Sequence, residues 1–341
     1  MTSWVPVSAV IAFLVSVFLT RSFCDSASRF YLLDYPNERS LHTQPTPRTG
    51  GVAIFAGFFS VISVWLFTAD GVITSAWLTA GAGLIATLSF LDDRHSLSVA
   101  TRFLGHVIGA GLVVFGAGLA LPVLSPGMSV AWPLWLSLSL SVLYLVWMVN
   151  LYNFMDGMDG FAGGMTLIGF GTFAIFGLLG GNLLFTVVSF IIAASAGGFL
   201  VFNFPPARIF MGDTGSAALG LLAGGLSLWG ERDGIFPFWL ALLVFSPFIV
   251  DASATLLRRL LRRERVWQAH KTHYYQRLVQ SGWGHRKTVL YEYALMLACG
   301  LSALFARQLN TSGQAALIIF WCLAYPLMMI GVHRLEKKKN S

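Results

Sequence analysis

Eleven apolar runs decide which solvent this chain can fold in. They lie near residues 4 to 20, 51 to 68, 72 to 91, 100 to 120, 134 to 152, 160 to 179, 183 to 202, 214 to 230, 236 to 257, 288 to 306 and 314 to 333. A helix that crosses the hydrocarbon core of a bilayer needs roughly 20 mostly apolar residues at about 1.5 Å each, and these runs have that length. Lipid offers no partner to a bare peptide group, so segments of this kind must be helical. The composition agrees, with 56% hydrophobic and 11% charged residues, and excludes an ordinary water-soluble domain. No internal repeat or linker divides the chain. The expected fold is therefore an all-α polytopic membrane protein, one domain over residues 1 to 341, with eleven spans, or ten if one run fails to cross.

Charge gives an independent test of the threading. No Lys or Arg precedes the first run and Arg21 follows it, which argues against a cleaved signal peptide and puts the N-terminus outside. Alternating the spans then places loops 21 to 50, 92 to 99, 153 to 159, 203 to 213 and 258 to 287, with the tail, on one side. Counting Arg102 at the foot of its helix, that side carries 20 of the 22 Lys and Arg, leaving only Arg232 and Arg307 for the other. By the positive-inside rule it is the cytoplasmic face, with the N-terminus periplasmic and the C-terminus cytoplasmic. The net charge of +7 thus belongs to that face and suits anionic lipid headgroups or a phosphorylated substrate, not nucleic acid. Cys24, Cys299 and Cys322 show neither metal nor disulfide spacing and are given no role.

The acids fall where the cations do. Asp92 and Asp93 end the third run in SFLDDRHSL, Asp156 and Asp159 follow the fifth in NLYNFMDGMDG, and Asp213 lies in NFPPARIFMGDTGS before the eighth. A carboxylate is tolerated at a helix end, but tolerance does not explain three clusters at one face with few cations beside them. Their repulsion calls for a counterion, and acids converging with oxygen ligands and amides describe a Mg²⁺ or Mn²⁺ site with room for substrate phosphate. Asp156 and Asp159, spaced i, i+3, would share one side of a helical turn. Pro205 and Pro206 should stop the seventh helix, and Asp213 or Thr214 should cap the eighth. Helix N-termini at this face, with Gly50, Gly51 and Gly160 near them, would add unpaired N–H groups that favour anions. Metal, helix dipoles and basic loops together suit a pyrophosphate.

Within the loop 258 to 287, LLRRLLRRER reads as an interfacial helix with a basic face, an anionic-lipid contact by itself. The portion HKTHYYQRL, with His270, His273, Lys271 and Arg277, reads as a donor-rich surface for phosphate or sugar oxygens; two His without a third ligand are a poor zinc site. Arg39, His42 and Arg48 lie in the first long loop, and Arg48 in PTPRTGG is the one best placed to touch phosphate. Asp251 and Glu292 read as interhelical pairs with a nearby Arg or Lys, or as snorkelling side chains, in preference to chemistry.

At this point the chain resembles a known family, the polyprenyl-phosphate N-acetylhexosamine-1-phosphate transferases, over roughly residues 34 to 287. PNERSLHTQPTPRTGG, FLDD, NLYNFMDGMDG, NFPPARIFMGDTGS and a His-containing loop occur in family order, each at a cytoplasmic helix end. The resemblance implies transfer of a sugar 1-phosphate from a UDP-sugar to a polyprenyl phosphate, usually undecaprenyl phosphate, with release of UMP, in the bacterial cytoplasmic (inner) membrane with the active site on its cytoplasmic face. It implies a Mg²⁺ or Mn²⁺ requirement, with Asp213 and Asp156 as metal ligands. Asp159, Asn203, Phe210 and Asn153 fall at nucleotide-sugar positions, Phe210 by stacking on uracil. Asp92 and Asp93 match an acidic pair that acts on the lipid phosphate, and Arg48, His270, His273 and Arg277 fall at phosphate- and sugar-binding positions.

The consecutive histidines of the muramyl-pentapeptide branch are missing, and HKTHYYQRL looks more like the O-antigen-initiating branch. The expected donor is a UDP-N-acetylhexosamine or a deoxy derivative, and a homodimer is left open. The attacking phosphate monoester has a second pKa near 6, so it is mostly dianionic at neutral pH. Charge neutralisation then matters more than a general base. The rival reading, a cation-coupled transporter, predicts mid-bilayer charges and inverted repeats, neither of which is visible. The CDP-alcohol phosphotransferases need a DGxxAR signature that this chain lacks.

Overall fold

The structure is a computed structural model describing residues 4–37, 40–68, 72–121, 133–265 and 270–340; Arg39 and part of the basic loop lie outside them. Each of the eleven apolar runs is helical. The first four are α1 (Trp4–Phe23), α2 (Gly50–Thr68), α3 (Val72–His95) and α4 (Val99–Gly111), the last continuing as a wider turn to Gly116. Next come α5 (Leu134–Phe154), α6 (Phe161–Leu179), α7 (Leu183–Asn203) and α8 (Asp213–Arg232). The ninth run is broken into α9 (Phe238–Val244) and α10 (Ser246–Leu261), bent by 79°. A five-residue α11 (Tyr274–Leu278) precedes α12 (Gly284–Ala306) and α13 (Thr311–Asn340).

Among the described residues eight helices are long and apolar enough to cross a membrane, or nine if the bent pair is one span. This is a polytopic membrane protein. The runs at α2 and α8 fall outside that count. Among the residues whose side chains are described, α2 offers the apolar stretch Gly50–Leu66, whereas α8 is rich in small residues and buried from Thr214 to Gly230. A helix walled in by protein on all sides has no lipid to match, so its hydropathy can be low. It packs on α3 and α5, while α7 joins α6 and α1.

The bundle has two chemically distinct ends. Arg232 donates to Thr74 Oγ1 (3.0 Å) and to the Ala117 carbonyl (2.7 Å), tying the far end of α8 to the start of α3 and the exit of α4. Arg307 lies 5.9 Å from the Phe176 ring near the far end of α6. The two cations that threading assigns to the opposite face thus sit away from Asp92, Asp156 and Asp213.

Backbone pairing closes the acidic end. A two-residue ladder joins Leu33–Asp34 to Thr46–Pro47, antiparallel, with Leu33 opposite Pro47. The chain then runs beside the segment after α7: Phe210 N–H donates to Pro47 O (2.7 Å), Gly50 N–H to Phe210 O (2.9 Å) and Gly51 N–H to Met211 O (2.8 Å). A Cβ at Gly51 would collide with the Gly215 backbone, so the starts of α2 and α8 meet only because both positions are glycine. Neither Asp213 nor Thr214 caps α8. The N-cap is Gly212, at φ 72°, with no side-chain cap bond, and Asp213 is the first helical residue, which frees its carboxylate for other use.

Candidate active site

Asp92, Asp93, Asn153, Asp156, Asp159 and Asn203 line one cavity of about 470 Å³ at this end, together with Arg48, Phe210 and Asp213. Residues 121 positions apart in sequence meet beside it: Thr214 Oγ1 donates to Asp93 Oδ2 at 3.3 Å. The expected helical turn carrying Asp156 and Asp159 does not form. α5 ends at Phe154 and α6 begins at Phe161, and Gly160 at φ 74° breaks the helix between them. The two carboxylates point to different partners within the same cavity.

Four of the six acids that line the cavity stand beside a basic side chain, Asp34 beside His42 and three more. Arg102 Nη1 lies 3.1 Å from Asp92 Oδ2, whose other oxygen accepts the Leu97 N–H. Arg48 Nη1 lies 3.4 Å from Asp93 Oδ1, and its Nη2 donates to the Asp93 carbonyl at 2.9 Å. His285 Nδ1 lies 2.9 Å from Asp159 Oδ1, and Asp159 Oδ2 accepts the Ala207 N–H at 3.0 Å. Asp156 and Asp213 differ. Among the described residues neither has an ion-pair partner. Burial pushes the Asp156 carboxyl well above the usual carboxylate range, the Asp213 charge adds to that, and the Gly212 backbone opposes it. Asn153 lies beside Asp213.

These residues fit a hard divalent cation. Among the described residues no group of three or more His, Cys, Asp or Glu is arranged to hold a metal ion alone. Mg²⁺ does not require one, since it is commonly bound by one or two carboxylates and completes its shell with water and substrate phosphates. Two neighbouring, uncompensated carboxylates in a polar cavity have the right chemistry, and Asp156 and Asp213 are the ligands they offer.

Asn203 serves the frame of the cavity. Its Oδ1 accepts the Gly160 N–H (2.9 Å) and its Nδ2 donates to Ile209 O (2.8 Å), fixing the turn after Asp159 to the segment that carries Phe210. Phe210 presents its ring near His42, with centroids 4.9 Å apart, and His42 Nε2 is 3.6 Å from Asp34 Oδ2.

His270, His273 and Arg277 are not brought to this cavity, contrary to the sequence expectation. His273 is buried with its Nδ1 3.2 Å from Asp251 Oδ1. Arg277 donates through Nε and Nη2 to the two oxygens of Glu336, at 2.7 and 2.5 Å. Burial, reinforced by His273, Arg259 and Arg258, holds His270 down to about 4, so near pH 7 it carries no charge to offer a phosphate. Asp251, expected to pair with Lys or Arg, instead accepts from His273 and from the Tyr274 and Tyr275 N–H groups, both at 2.9 Å. Of the described residues of the loop 258–287, Gln276 and His285 line the cavity. The sequence reading missed Arg102, His285 and Gln276 as cavity residues. For His285 a signal existed: it follows Gly282 and Gly284, both at positive φ, at the mouth of α12.

A membrane bundle closed over an acid- and arginine-lined chamber at one end defines an integral-membrane transferase class. The profile of glycosyl transferase family 4 matches residues 75–231. A probable undecaprenyl-phosphate N-acetylglucosaminyl 1-phosphate transferase of Bacillus subtilis (strain 168) is 32% identical, covering 97% of this chain and 93% of the relative. A decaprenyl-phosphate N-acetylglucosaminephosphotransferase of Mycolicibacterium smegmatis is 36% identical over 78% of this chain and 73% of its own length. A phospho-N-acetylmuramoyl-pentapeptide-transferase of Shouchella clausii is 29% identical over 72% of this chain and 78% of its own. The chain belongs to glycosyl transferase family 4, the polyprenyl-phosphate N-acetylhexosamine-1-phosphate transferases.

Proposed function

We infer that the protein transfers N-acetylhexosamine 1-phosphate, with N-acetylglucosamine the first candidate sugar, from a UDP-sugar to undecaprenyl phosphate. The products are the polyprenyl pyrophosphoryl sugar and UMP, at the first membrane step of O-antigen or related cell-surface polysaccharide synthesis. The relatives' names support the sugar and the polyprenyl acceptor. The cation distribution supports an eleven-span reading with the N-terminus periplasmic and the cavity on the cytoplasmic face of the inner membrane.

One observation carries the chemistry: of the six acids that line the cavity, Asp156 and Asp213 alone have no ion-pair partner among the described residues. They are the carboxylates left to hold Mg²⁺, which when bound would draw charge from the pyrophosphate of the donor. Arg48 and Arg102 stand over the remaining anionic oxygens and lower the repulsion between acceptor phosphate and donor. Asp92 and Asp93, each held by an Arg, orient those guanidinium groups and need not take a proton, because the acceptor is mostly ionised at neutral pH. Asp159, Asn153, Asn203 and Phe210 shape the nucleotide side, with Phe210 as a stacking face for uracil.

The test is UMP release by purified protein, with and without undecaprenyl phosphate, across a panel of UDP-sugars. Acceptor-dependent release with UDP-N-acetylglucosamine is expected. No release with any donor would remove the reading, and release with a different hexosamine would reassign the sugar.

A further inference from the structure

A second cleft, of about 640 Å³, lies at the same end of the bundle between α10, α11 and α13, and shares no lining residue with the reaction cavity. Its walls include Arg258, Arg262, Lys271 and Arg277 against a single carboxylate, Glu336. Glu336 is already taken by Arg277, so the cleft keeps an excess of positive charge. It is also built. Arg258 Nη2 donates to the Thr272 carbonyl at 2.6 Å, and Tyr274 lies between two guanidinium groups, 5.4 Å from that of Arg258 and 4.7 Å from that of Arg277. Stacking of this kind holds cationic groups in place that would otherwise repel one another.

The cleft's margin is apolar. Met329 and Ile330 line it from α13. Leu323 and Leu327 continue the Ile330 side of α13 at helical spacing, and Leu257 and Leu261 flank Arg258 and Arg262 on α10. All of these leucines and Ile330 are exposed. A phosphate free in solution would have no use for two exposed aliphatic ridges beside its cations. A single-chain acceptor placed here would put its phosphate on the far side of α11 from the carboxylates, since Gln276 lines the cavity while Arg277 lines the cleft.

We propose that this cleft binds the headgroup of an anionic diacyl phospholipid, the phosphate among Arg258, Arg262 and Arg277 and the two acyl chains along α10 and α13. Bound there, the lipid bridges α13 to α11, the helix that presents Gln276 to the reaction chamber. The inference does not rest on the transfer reaction, and its test needs neither nucleotide nor acceptor.

Native mass spectrometry of the purified full-length protein, titrated with phosphatidylglycerol or phosphatidylcholine of identical chains, measures it. Phosphatidylglycerol should be retained at least fivefold better, Arg262→Gln should cut that preference about threefold or more, and Arg262→Lys should keep it. Exposed Arg262 can be changed without breaking a described hydrogen bond. A thermal midpoint equal to the wild type's in phosphatidylcholine nanodiscs confirms that the variant is folded. Equal retention of the two lipids by the wild type would overturn the proposal. So would an unchanged preference in both Arg262→Gln and Ile330→Glu, or preferential displacement of phosphatidylglycerol by equimolar undecaprenyl phosphate, which would make the cleft an acceptor site.

Discussion

His285 Nδ1 stands 2.9 Å from Asp159 Oδ1, joining the start of α12 to the turn between α5 and α6 at the rim of the reaction cavity. Asp159 keeps its second oxygen on the Ala207 N–H, so the contact fixes the carboxylate rather than consuming it. Replacing His285 by Ala should release Asp159 without touching Asp156 or Asp213. A lost charge-assisted contact at a partly wet site is worth about 1.5 kcal/mol, roughly tenfold in affinity. The expected result is a KM for the UDP-sugar raised about tenfold with kcat nearly unchanged, read from initial rates of UMP release. A fall in kcat alone would assign His285 to the chemical step.

The uncompensated pair, Asp156 and Asp213, predicts opposite effects on activity and stability. Asn at either position removes a negative charge from a pair with no ion-pair partner among the described residues. Without divalent cation, Asp156→Asn and Asp213→Asn should therefore unfold at higher temperature than the wild type, as strained functional sites do when relaxed. Turnover should fall about 100-fold or more, the scale of losing a charge-stabilising group. Asp92→Asn, whose carboxylate already partners Arg102 and the Leu97 N–H, should lose less at pH 8. Thermal denaturation beside UMP-release rates checks both halves, and a destabilised Asp156→Asn would mean the pair is not under repulsion.

The shifted Asp156 fixes a pH dependence. Its folded-state pKa lies above its unfolded value, so in the window between the two the folded protein holds more protons than the unfolded chain. Stability of the metal-free protein from this group is then full below the unfolded value and lost as pH rises through the folded one. A cation that occupies the pair competes with that proton. Addition of Mg²⁺ should accordingly raise the melting temperature more at pH 8 than at pH 5, and the difference should vanish in the Asp156→Asn and Asp213→Asn double variant. A Mg²⁺ effect independent of pH would place the ion elsewhere.

The carboxylates were legible in the sequence because each closes or opens an apolar run, and threading alone puts Asp92, Asp156 and Asp213 at one end. The partners of those acids were less so. Nothing local in Arg102 says that it reaches back to Asp92, and the His285 contact with Asp159 spans the six helices α6 to α11. The loop HKTHYYQRL misled for a physical reason: a donor-rich surface satisfies an internal carboxylate as readily as a substrate phosphate, and Asp251 and Glu336 claim His273 and Arg277. The bend between α9 and α10 also leaves no gap in hydropathy, since Phe245 at the break is as apolar as its neighbours. α8 was legible as a helix but not as one shielded from lipid, because enclosure depends on the helices around it.

Asp251 supports the last prediction. It sits on α10 and accepts the Tyr274 and Tyr275 N–H groups at 2.9 Å, the His273 ring at 3.2 Å and Thr255 Oγ1 at 3.1 Å. α11 continues only as a wider turn to Trp283, and a segment this short gains little from its own hydrogen bonds, so this carboxylate supports it as an external N-terminal cap beside the Gln276 side chain. The helix in turn places Tyr275, whose hydroxyl donates to the Phe154 carbonyl at 3.2 Å, and Gln276 in the cavity wall. Asp251→Ala orphans two buried N–H groups at about 1 to 3 kcal/mol each. It should lower stability by about 2 to 4 kcal/mol and expose the segment 270–283 to amide hydrogen exchange while α6 and α8 stay protected. Asp251→Asn, which keeps one acceptor oxygen, should fall between Ala and the wild type. Uniform loss of protection across the bundle in Asp251→Ala would show instead that the carboxylate holds the whole fold and not α11 alone.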